Sequence, residues 1–321
     1  MGIVAKSLLS AGFSVLMAGY AIAAPDVVVS IKPVHSLVAG IMKNVGEPSL
    51  IVQGSASPHA YQLRPSQAAA LEEADVIFWT GHGLEAFLEK PLETLGSKAR
   101  IVALEDAPGL TRLGFREGGA FDRHGHGDHA AEGQDDAHVA EADGQDDHGL
   151  FDMHVWLDTD NAKAMAREIA RTLSEADPAN KSAYDANLVE LSARLDALAS
   201  EIETIVAPVK DRPSIVFHDA YQYFERRFGV RVAGSITVSP EVAPGAERLT
   251  EIRARIKDLE ATCVFAEPQF EPKIVSMLVA GTAARTGVLD PEGASLEPGA
   301  DLYFELMRAI ANNLEACLAQ G

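Results

Sequence analysis

Cysteine is scarce in this chain of 321 residues, with only Cys263 and Cys317 present. Basic residues are also few, since 27 lysines and arginines stand against 47 acids and give a formal net charge of -20. Such a charge argues against nucleic acid or an anionic membrane surface as a partner, and it is compatible with binding of cations. Beyond residue 23 no run approaches the roughly 20 apolar residues of a transmembrane helix. We therefore expect no stable membrane insertion.

Residues 1–23 have the pattern of a secretory signal peptide. Lys6 precedes a mostly apolar run, and small residues then offer a cleavage site after Ala23. No cysteine lies near that site to accept a lipid, so we predict an exported, soluble mature protein. In an oxidising compartment an even pair of cysteines favours a disulfide over a free thiol or a metal site. We therefore predict a bridge between Cys263 and Cys317.

Short β-rich runs alternate with helical patterns, which predicts an α/β fold of two lobes, residues 24–176 and 209–321. The runs are VVVSI, SLIVQ, VIFW and RIVAL in the first lobe, and SIVF, VRVAGSI, TCVFA and GVLD in the second. Each lobe should hold a mostly parallel sheet flanked by helices.

Residues 177–208 predict one long rigid helix that joins the lobes. Asp177 can cap its start, and Pro178 suits the first turn. From Tyr184 to Ile205, apolar residues recur at alternating spacings of four and three. They form one apolar stripe on a helix of about 30 residues, roughly 45 Å long. We favour a strut laid across both lobes, with a coiled-coil dimer as the alternative.

Residues 115–150 differ from the rest, because they are rich in acids and glycine and contain almost no aliphatic side chains. Five of the ten histidines lie here: His124, His126, His129, His138 and His148. A segment of this composition cannot bury a core. We predict a mobile loop inserted in the first lobe.

Histidines also occur where the predicted strands end. His59 follows SLIVQ, His218 follows SIVF, and His154 opens the strand-like run HVWLD. Ligands of open α/β sheets bind outside the carboxyl ends of the strands, so His59 and His218, in different lobes, should face one another across a cleft. Asp290, at the end of GVLD, holds an equivalent place. Three imidazoles with a carboxylate or water suit zinc, copper or nickel better than magnesium or calcium.

Several longer runs resemble the metal-binding solute receptors of bacterial metal-uptake ABC transporters, and among these the periplasmic zinc receptors. These runs are SIKPVHSLVAGIM, SPHAYQLRPSQAAALEEADVIFW, GHGLEAFLE, HVWLD, FHDAYQYFERRFG, FAEPQFEPKIV and RTGVLDPEG. Apart from the predicted signal peptide and acidic loop, the resemblance covers nearly the whole chain. It implies two α/β lobes joined by a long helix, a metal held between them, and delivery of Zn2+ to an inner-membrane permease.

The resemblance also implies individual ligands. The pattern P-H-x-x-x-L-R-P-S places the first at His59, H-x-W-L-D places the second at His154, and the third position is His218. Zinc receptors have histidine at this third position, whereas manganese receptors commonly have glutamate. The aspartate of V-L-D-P, Asp290, is a ligand in manganese receptors but is often displaced by water in zinc receptors. The fourth position therefore stays open.

The resemblance extends to the cysteine pair of the second lobe and to a histidine- and acid-rich loop, which implies weak auxiliary metal capture by the five loop histidines. An inert solvated linker is the alternative. Among the other residues, we expect local packing for His35, a turn role for His82, core positions for Trp79 and Trp156, and an orienting rather than a ligating role for Glu267.

Three other functions remain open at this stage. One is a receptor for manganese or another divalent metal, and another is an adhesin or metal buffer without a transporter. The third is a secreted zinc hydrolase, because three histidines and a water also build catalytic zinc sites. However, the sequence lacks HExxH, and no glutamate stands beside a ligand as an evident base. We expect a monomeric binding protein rather than an enzyme.

Overall fold

The computed structural model describes residues 24–116, 121, 151–237, 244–259, 263–270 and 273–320. The predicted signal peptide and the five histidines of the predicted acidic loop lie outside these residues, so both stay predictions. Within the described part of the chain, no helix is both long enough and apolar enough to cross a membrane.

The first sheet has four parallel strands in the order β2-β1-β3-β4. The elements of this part of the chain are β1 (Val27–Val29), α1 (Lys32–Ile41), β2 (Ser49–Leu50), α2 (Pro65–Glu73), β3 (Val76–Trp79), α3 (Ala86–Leu95), β4 (Arg100–Ala103) and α4 (Thr159–Ala176). In the centre, Val28 pairs with Ser49 on one side and with Ile77 on the other. Every residue of β1 and β3 is buried, as expected for parallel strands that helices cover on both faces.

The long helix α5 (Lys181–Val206) follows. A short 3-10 turn, Pro178–Asn180, precedes it, so the α-helix begins later than the predicted Asp177 cap. Asp177 instead accepts hydrogen bonds from the Tyr184 hydroxyl at 2.9 Å and from the Asn180 amide at 2.7 Å. The 26 residues of α5 span about 39 Å at the usual rise per residue.

The second sheet repeats the topology of the first, with parallel strands in the order β6-β5-β7-β8. Its elements are β5 (Ser214–His218), α6 (Gln222–Phe228), β6 (Val232–Thr237), α7 (Ala246–Asp258), β7 (Cys263–Ala266), α8 (Lys273–Val279), β8 (Arg285–Val288) and α9 (Leu302–Leu318). The predicted fold of two lobes with parallel sheets and one long helix is thus confirmed.

The hydrophobic core is continuous between the lobes on one face of the second sheet. Val216 and Phe265 belong to the same cluster as the first sheet, α5 and α9, whereas Ile215 and Phe217 point to a separate cluster with α7 and α8. The buried residues of the predicted stripe on α5 lie in the shared cluster, and α5 contacts α1, α4 and α9. The stripe is therefore buried within the chain, which favours the strut over a coiled coil.

Candidate metal centre

Three histidines from three different parts of the chain meet between the lobes. His59 lies in a 3-10 turn, Pro58–Ala60, after β2, and its backbone N–H donates to the Ser57 hydroxyl at 3.3 Å. His218 is the last residue of β5. One nitrogen from each of His59, His154 and His218 lies within 4.8 Å of the other two. The structure thus brings together the three histidines that the sequence singled out.

The local structure at His154 differs from the prediction. The run HVWLD is not a strand: Val155–Leu157 form a 3-10 turn directly before α4. The Asp158 carboxylate accepts the Asp160 backbone N–H at 2.7 Å, and this cap starts the helix where an extended chain was expected. His154 therefore enters the site from the turn that leads into α4.

A buried carboxylate holds each of two imidazoles at its Nδ1 atom. Asp152 Oδ1 lies 2.7 Å from His154 Nδ1, and Glu267 Oε2 lies 2.7 Å from His218 Nδ1. Because a carboxylate accepts hydrogen bonds, Nδ1 carries the proton in both rings and the Nε2 lone pair remains for a ligand. The predicted orienting role of Glu267 agrees with this contact. Sequence reasoning did not single out Asp152, although its place two residues before His154 was the available signal.

The Nε2 atoms of the three rings converge on one point. His154 Nε2 and His218 Nε2 are 3.2 Å apart, and His59 Nε2 is buried with no hydrogen-bond partner among the described residues. Two lone pairs at this distance repel each other unless a cation or a proton lies between them. In a tetrahedral zinc site, Zn–N bonds of about 2.0–2.1 Å put two nitrogens about 3.3 Å apart. The observed separation therefore fits an ion shared by the rings.

The rings differ in their affinity for protons. Burial lowers the pKa of His59 well below its usual range, and the neighbouring His154 and His218 rings lower it further. Burial alone would also lower the pKa of His218, but the charge and hydrogen bond of Glu267 outweigh this and raise it. A metal ion that binds here competes with protons for the ring nitrogens. Because His218 holds a proton more readily than His59 does, this competition is stronger at His218.

Asp290 does not join the three-histidine group. Its carboxylate accepts the backbone N–H groups of Glu292, Gly293 and Ala294 at 3.1, 2.9 and 2.6 Å, and the Gln269 amide at 3.1 Å. These contacts hold a turn that begins at Asp290, two residues after the end of β8. Its expected role as fourth ligand stays a prediction, and the structure shows it engaged in holding this turn.

The remaining singled-out residues lie outside the histidine group. His35 Nε2 contacts the Pro48 carbonyl at 2.9 Å, and His82 Nδ1 contacts Glu105 Oε1 at 2.9 Å. Trp79 and Trp156 are buried in the core, as predicted.

The predicted disulfide between Cys263 and Cys317 is present and joins β7 to the last turn of α9. Both cysteines are buried. The bridge therefore lies within the second lobe, as the sequence indicated.

Comparison with known proteins gives concordant matches over nearly the whole chain. A family model described as "ZnuA: Zinc-uptake complex component A periplasmic" matches residues 27–317. The high-affinity zinc uptake system protein ZnuA of Brucella suis biovar 1 (strain 1330) is 53% identical over an alignment of 311 residues that covers 92% of each chain. The protein of the same name from Yersinia pestis is 37% identical over 317 residues, 98% of this chain and 97% of the relative. A zinc-bound crystal structure of a ZnuA deletion mutant is similar with a TM-score of 0.72 at 27% identity, covering 92% of this chain and 98% of the other.

Proposed function

Because the chain belongs to the ZnuA family of periplasmic zinc-uptake components, we propose that it captures Zn2+ outside the inner membrane and delivers it to an ABC permease. The observation that carries this proposal is the convergence of three buried imidazole nitrogens on one point. Zinc is the cargo of this protein rather than the cofactor of a reaction. The predicted signal peptide would supply export to the periplasm, and we propose that the mature protein acts as a monomer.

The donor set supports zinc over manganese. The group contains three imidazoles and no carboxylate, and nitrogen donors suit zinc, whereas manganese prefers oxygen ligands. Asp152 and Glu267 act one step further out, since they fix the tautomers of His154 and His218 and make their Nε2 atoms better donors. We propose His59, His154 and His218 as the zinc ligands.

The site supports binding rather than catalysis. Its two most buried imidazoles, His154 and His218, are only 6% and 4% exposed. Each carboxylate that contacts them, Asp152 or Glu267, is hydrogen-bonded to a ligand imidazole and is thereby engaged in holding a ring. A zinc hydrolase instead needs an open position and a base that reaches the attacking water. We therefore propose that the protein is not an enzyme.

Zinc titration of the mature chain, in competition with a chelator of known affinity, tests the function. We expect one tight site. Changing His59, His154 or His218 to alanine should lower its zinc affinity by more than the roughly 10- to 100-fold that is lost when only a hydrogen-bond partner of a metal ligand is removed. His82→Ala is the matched control, because His82 is partly exposed and lies outside the group. Tight binding that survives all three alanine changes, or an equal loss in the control, would refute the assignment.

Delivery to a permease requires a second assay. Cells that lack their own periplasmic zinc receptor but retain the permease and ATPase should regain growth in zinc-depleted medium when they produce this chain. The His59→Ala variant should not restore growth at matched protein levels. Equal growth with the variant would show that the histidine group does not serve uptake.

A further inference from the structure

The two ends of the predicted acidic loop meet beside the three-histidine group. Gly114 and Phe151 form an antiparallel bridge, and the Asp152 backbone N–H donates to the Leu113 carbonyl at 2.8 Å. Asp152 is also the residue whose carboxylate holds the imidazole of His154. The base of the loop therefore adjoins the first-lobe side of the site.

Helix α6 of the second lobe contacts both chain segments at this base. The Tyr223 hydroxyl accepts the Leu113 backbone N–H at 3.0 Å and donates to the Asp152 carbonyl at 2.6 Å. The Gln222 side-chain amide donates to Asp152 Oδ2 at 3.3 Å. Since α6 begins four residues after His218, these contacts set the segment that carries one proposed ligand against the segment that orients another.

Arg116 adds a charged contact across the same boundary. Its guanidinium donates twice to Asp219, with Nε 3.1 Å from Oδ2, and twice to Glu225, with Nη1 3.0 Å from Oε2 and Nη2 2.8 Å from Oε1. Asp219 directly follows His218 in the chain. The side chains of the two acids are only 8% and 12% exposed. Removal of the arginine would therefore leave two nearly buried carboxylates close together without the cation that joins them.

The neighbouring Arg112 offers a comparison, because its partners lie within the first lobe. It donates to the Glu105 carbonyl at 2.6 Å and to Asp106 at 2.8 Å, and its guanidinium lies 4.8 Å from the centre of the Phe151 ring. Arg116, four residues later, instead binds two acids of the second lobe. The two arginines thus differ in whether their ion pairs join the lobes.

We propose that Arg116 is a positioning residue for the proposed zinc site. By binding Asp219 and Glu225, it holds the segment that begins at His218 in place against the first lobe. It acts through the residue next to His218 rather than through the ring. This inference rests on the proposed function, since it takes the three histidines as the zinc ligands. Without Arg116, His218 would leave its place more often, and bound zinc would dissociate faster.

The sign of the effect distinguishes positioning from simpler roles. A cation near the site repels Zn2+, so removal of Arg116 would raise zinc affinity if charge alone mattered. If Arg116 served only the stability of the fold, its removal would lower the free energy of unfolding and leave the zinc affinity of the folded protein unchanged. Removal of a positioning residue instead lowers zinc affinity.

Arg116→Gln in the full mature chain tests the proposal, and Arg112→Gln is the matched control. Three quantities are measured for each: zinc affinity by chelator competition, the rate at which bound zinc passes to excess chelator, and urea unfolding of the zinc-free protein. We expect Arg116→Gln to lower zinc affinity about 10-fold, the low end of the loss that follows removal of a hydrogen-bond partner of a metal ligand. Faster dissociation should account for most of this change. The control should alter neither affinity nor rate, whatever it costs in stability.

Arg116→Lys keeps a cation between the two carboxylates, so it should fold even if the glutamine variant does not. One ammonium cannot reproduce the fork of the guanidinium, and this variant should show the same changes at a smaller size. If the unmodified chain binds no zinc tightly, the proposed function fails. If it does, but both Arg116 variants bind zinc at least as tightly, only the positioning role fails. An equal loss of affinity in Arg112→Gln also overturns this role, because the loss would then follow from removing either arginine at the base of the loop.

Discussion

Breaking the disulfide between Cys263 and Cys317 should lower the free energy of unfolding by about 4 kcal/mol and leave zinc affinity nearly unchanged. The bridge joins residues separated by 54 positions. In the chain-entropy model, cross-linking a loop of this length removes enough freedom from the unfolded chain to stabilise the fold by about 4 kcal/mol. For comparison, typical domains are stable by only ~5–15 kcal/mol.

The position of the bridge explains why zinc binding should be spared. Cys263 pairs with Ser214, the first residue of β5, whereas His218 is the last residue of the same strand. At about 3.3 Å per residue, the two ends of β5 are roughly 13 Å apart. The disulfide therefore fixes one end of the second sheet, and the proposed zinc site lies at the other end.

Urea unfolding of the zinc-free protein measures the effect, because bound zinc would add its own stabilisation to the folded state. The oxidised protein is compared with the reduced protein, which keeps both side chains and creates no cavity, and with the Cys263→Ala, Cys317→Ala double variant. Thiol titration of the unfolded, unreduced protein should find no free thiol. A stability difference below about 1 kcal/mol would show that this loop gains little from the cross-link, contrary to the entropy model. A tenfold loss of zinc affinity on reduction would refute the separation of bridge and site.

Three further outcomes are expected. Deletion of residues 118–148 should leave the tight zinc site nearly unchanged and remove only weaker additional binding, which calorimetry at pH ~7.5 resolves, since free histidines are then largely neutral. His218→Glu should weaken zinc binding and raise relative manganese binding, because carboxylate suits manganese better than imidazole does; an unchanged preference in competition titrations would contradict this. Burial raises the pKa of Glu85 from 4.5 to about 6. The folded state therefore holds this proton more tightly than the unfolded chain, and stability should fall by about 2 kcal/mol in total as pH rises from ~3.5, below both pKa values, to ~7, above both. Urea unfolding of Glu85→Gln should lack this decline, and a profile parallel to that of the unmodified protein would exclude Glu85 as its source.

The strands could be predicted from the sequence because their signals are local, whereas the three histidines were singled out by strand ends together with the family motifs. Buried parallel strands are short apolar runs such as VIFW, which coincides with β3. His59 and His218 could be placed in one cleft because carboxyl ends of parallel strands form ligand-binding edges. HVWLD misled because its apolar residues are also compatible with a buried turn. The deciding signal was the Asp158 cap of α4, which depends on one hydrogen bond.

The partners of the acids near the site could not be predicted, because hydrogen bonds between distant parts of the chain depend on the fold. Asp290 and Glu292 are two residues apart, and both are acids with a place near the cleft. Only the structure shows that the Asp290 carboxylate is engaged in a turn, and that Glu292 is one of the residues beside His59 and His218 in the cleft. The same limit applies to Asp152, whose contact with His154 follows from the bend of the chain between them.

The contacts between the lobes argue for small local adjustments during zinc capture and release. Lys32 of the first lobe donates to three carbonyls of the second, those of Gly293, Ala294 and Leu296, each at 2.9 Å. A wide rotation would break these bonds and leave a buried ammonium without partners, and it would also divide the apolar core that Val216 and Phe265 share with the first lobe. One rigid helix as the connection has the same effect, because it offers no flexible hinge. The least costly movement therefore lies in the turns that carry His59 and His154, which can shift without separating the two sheets.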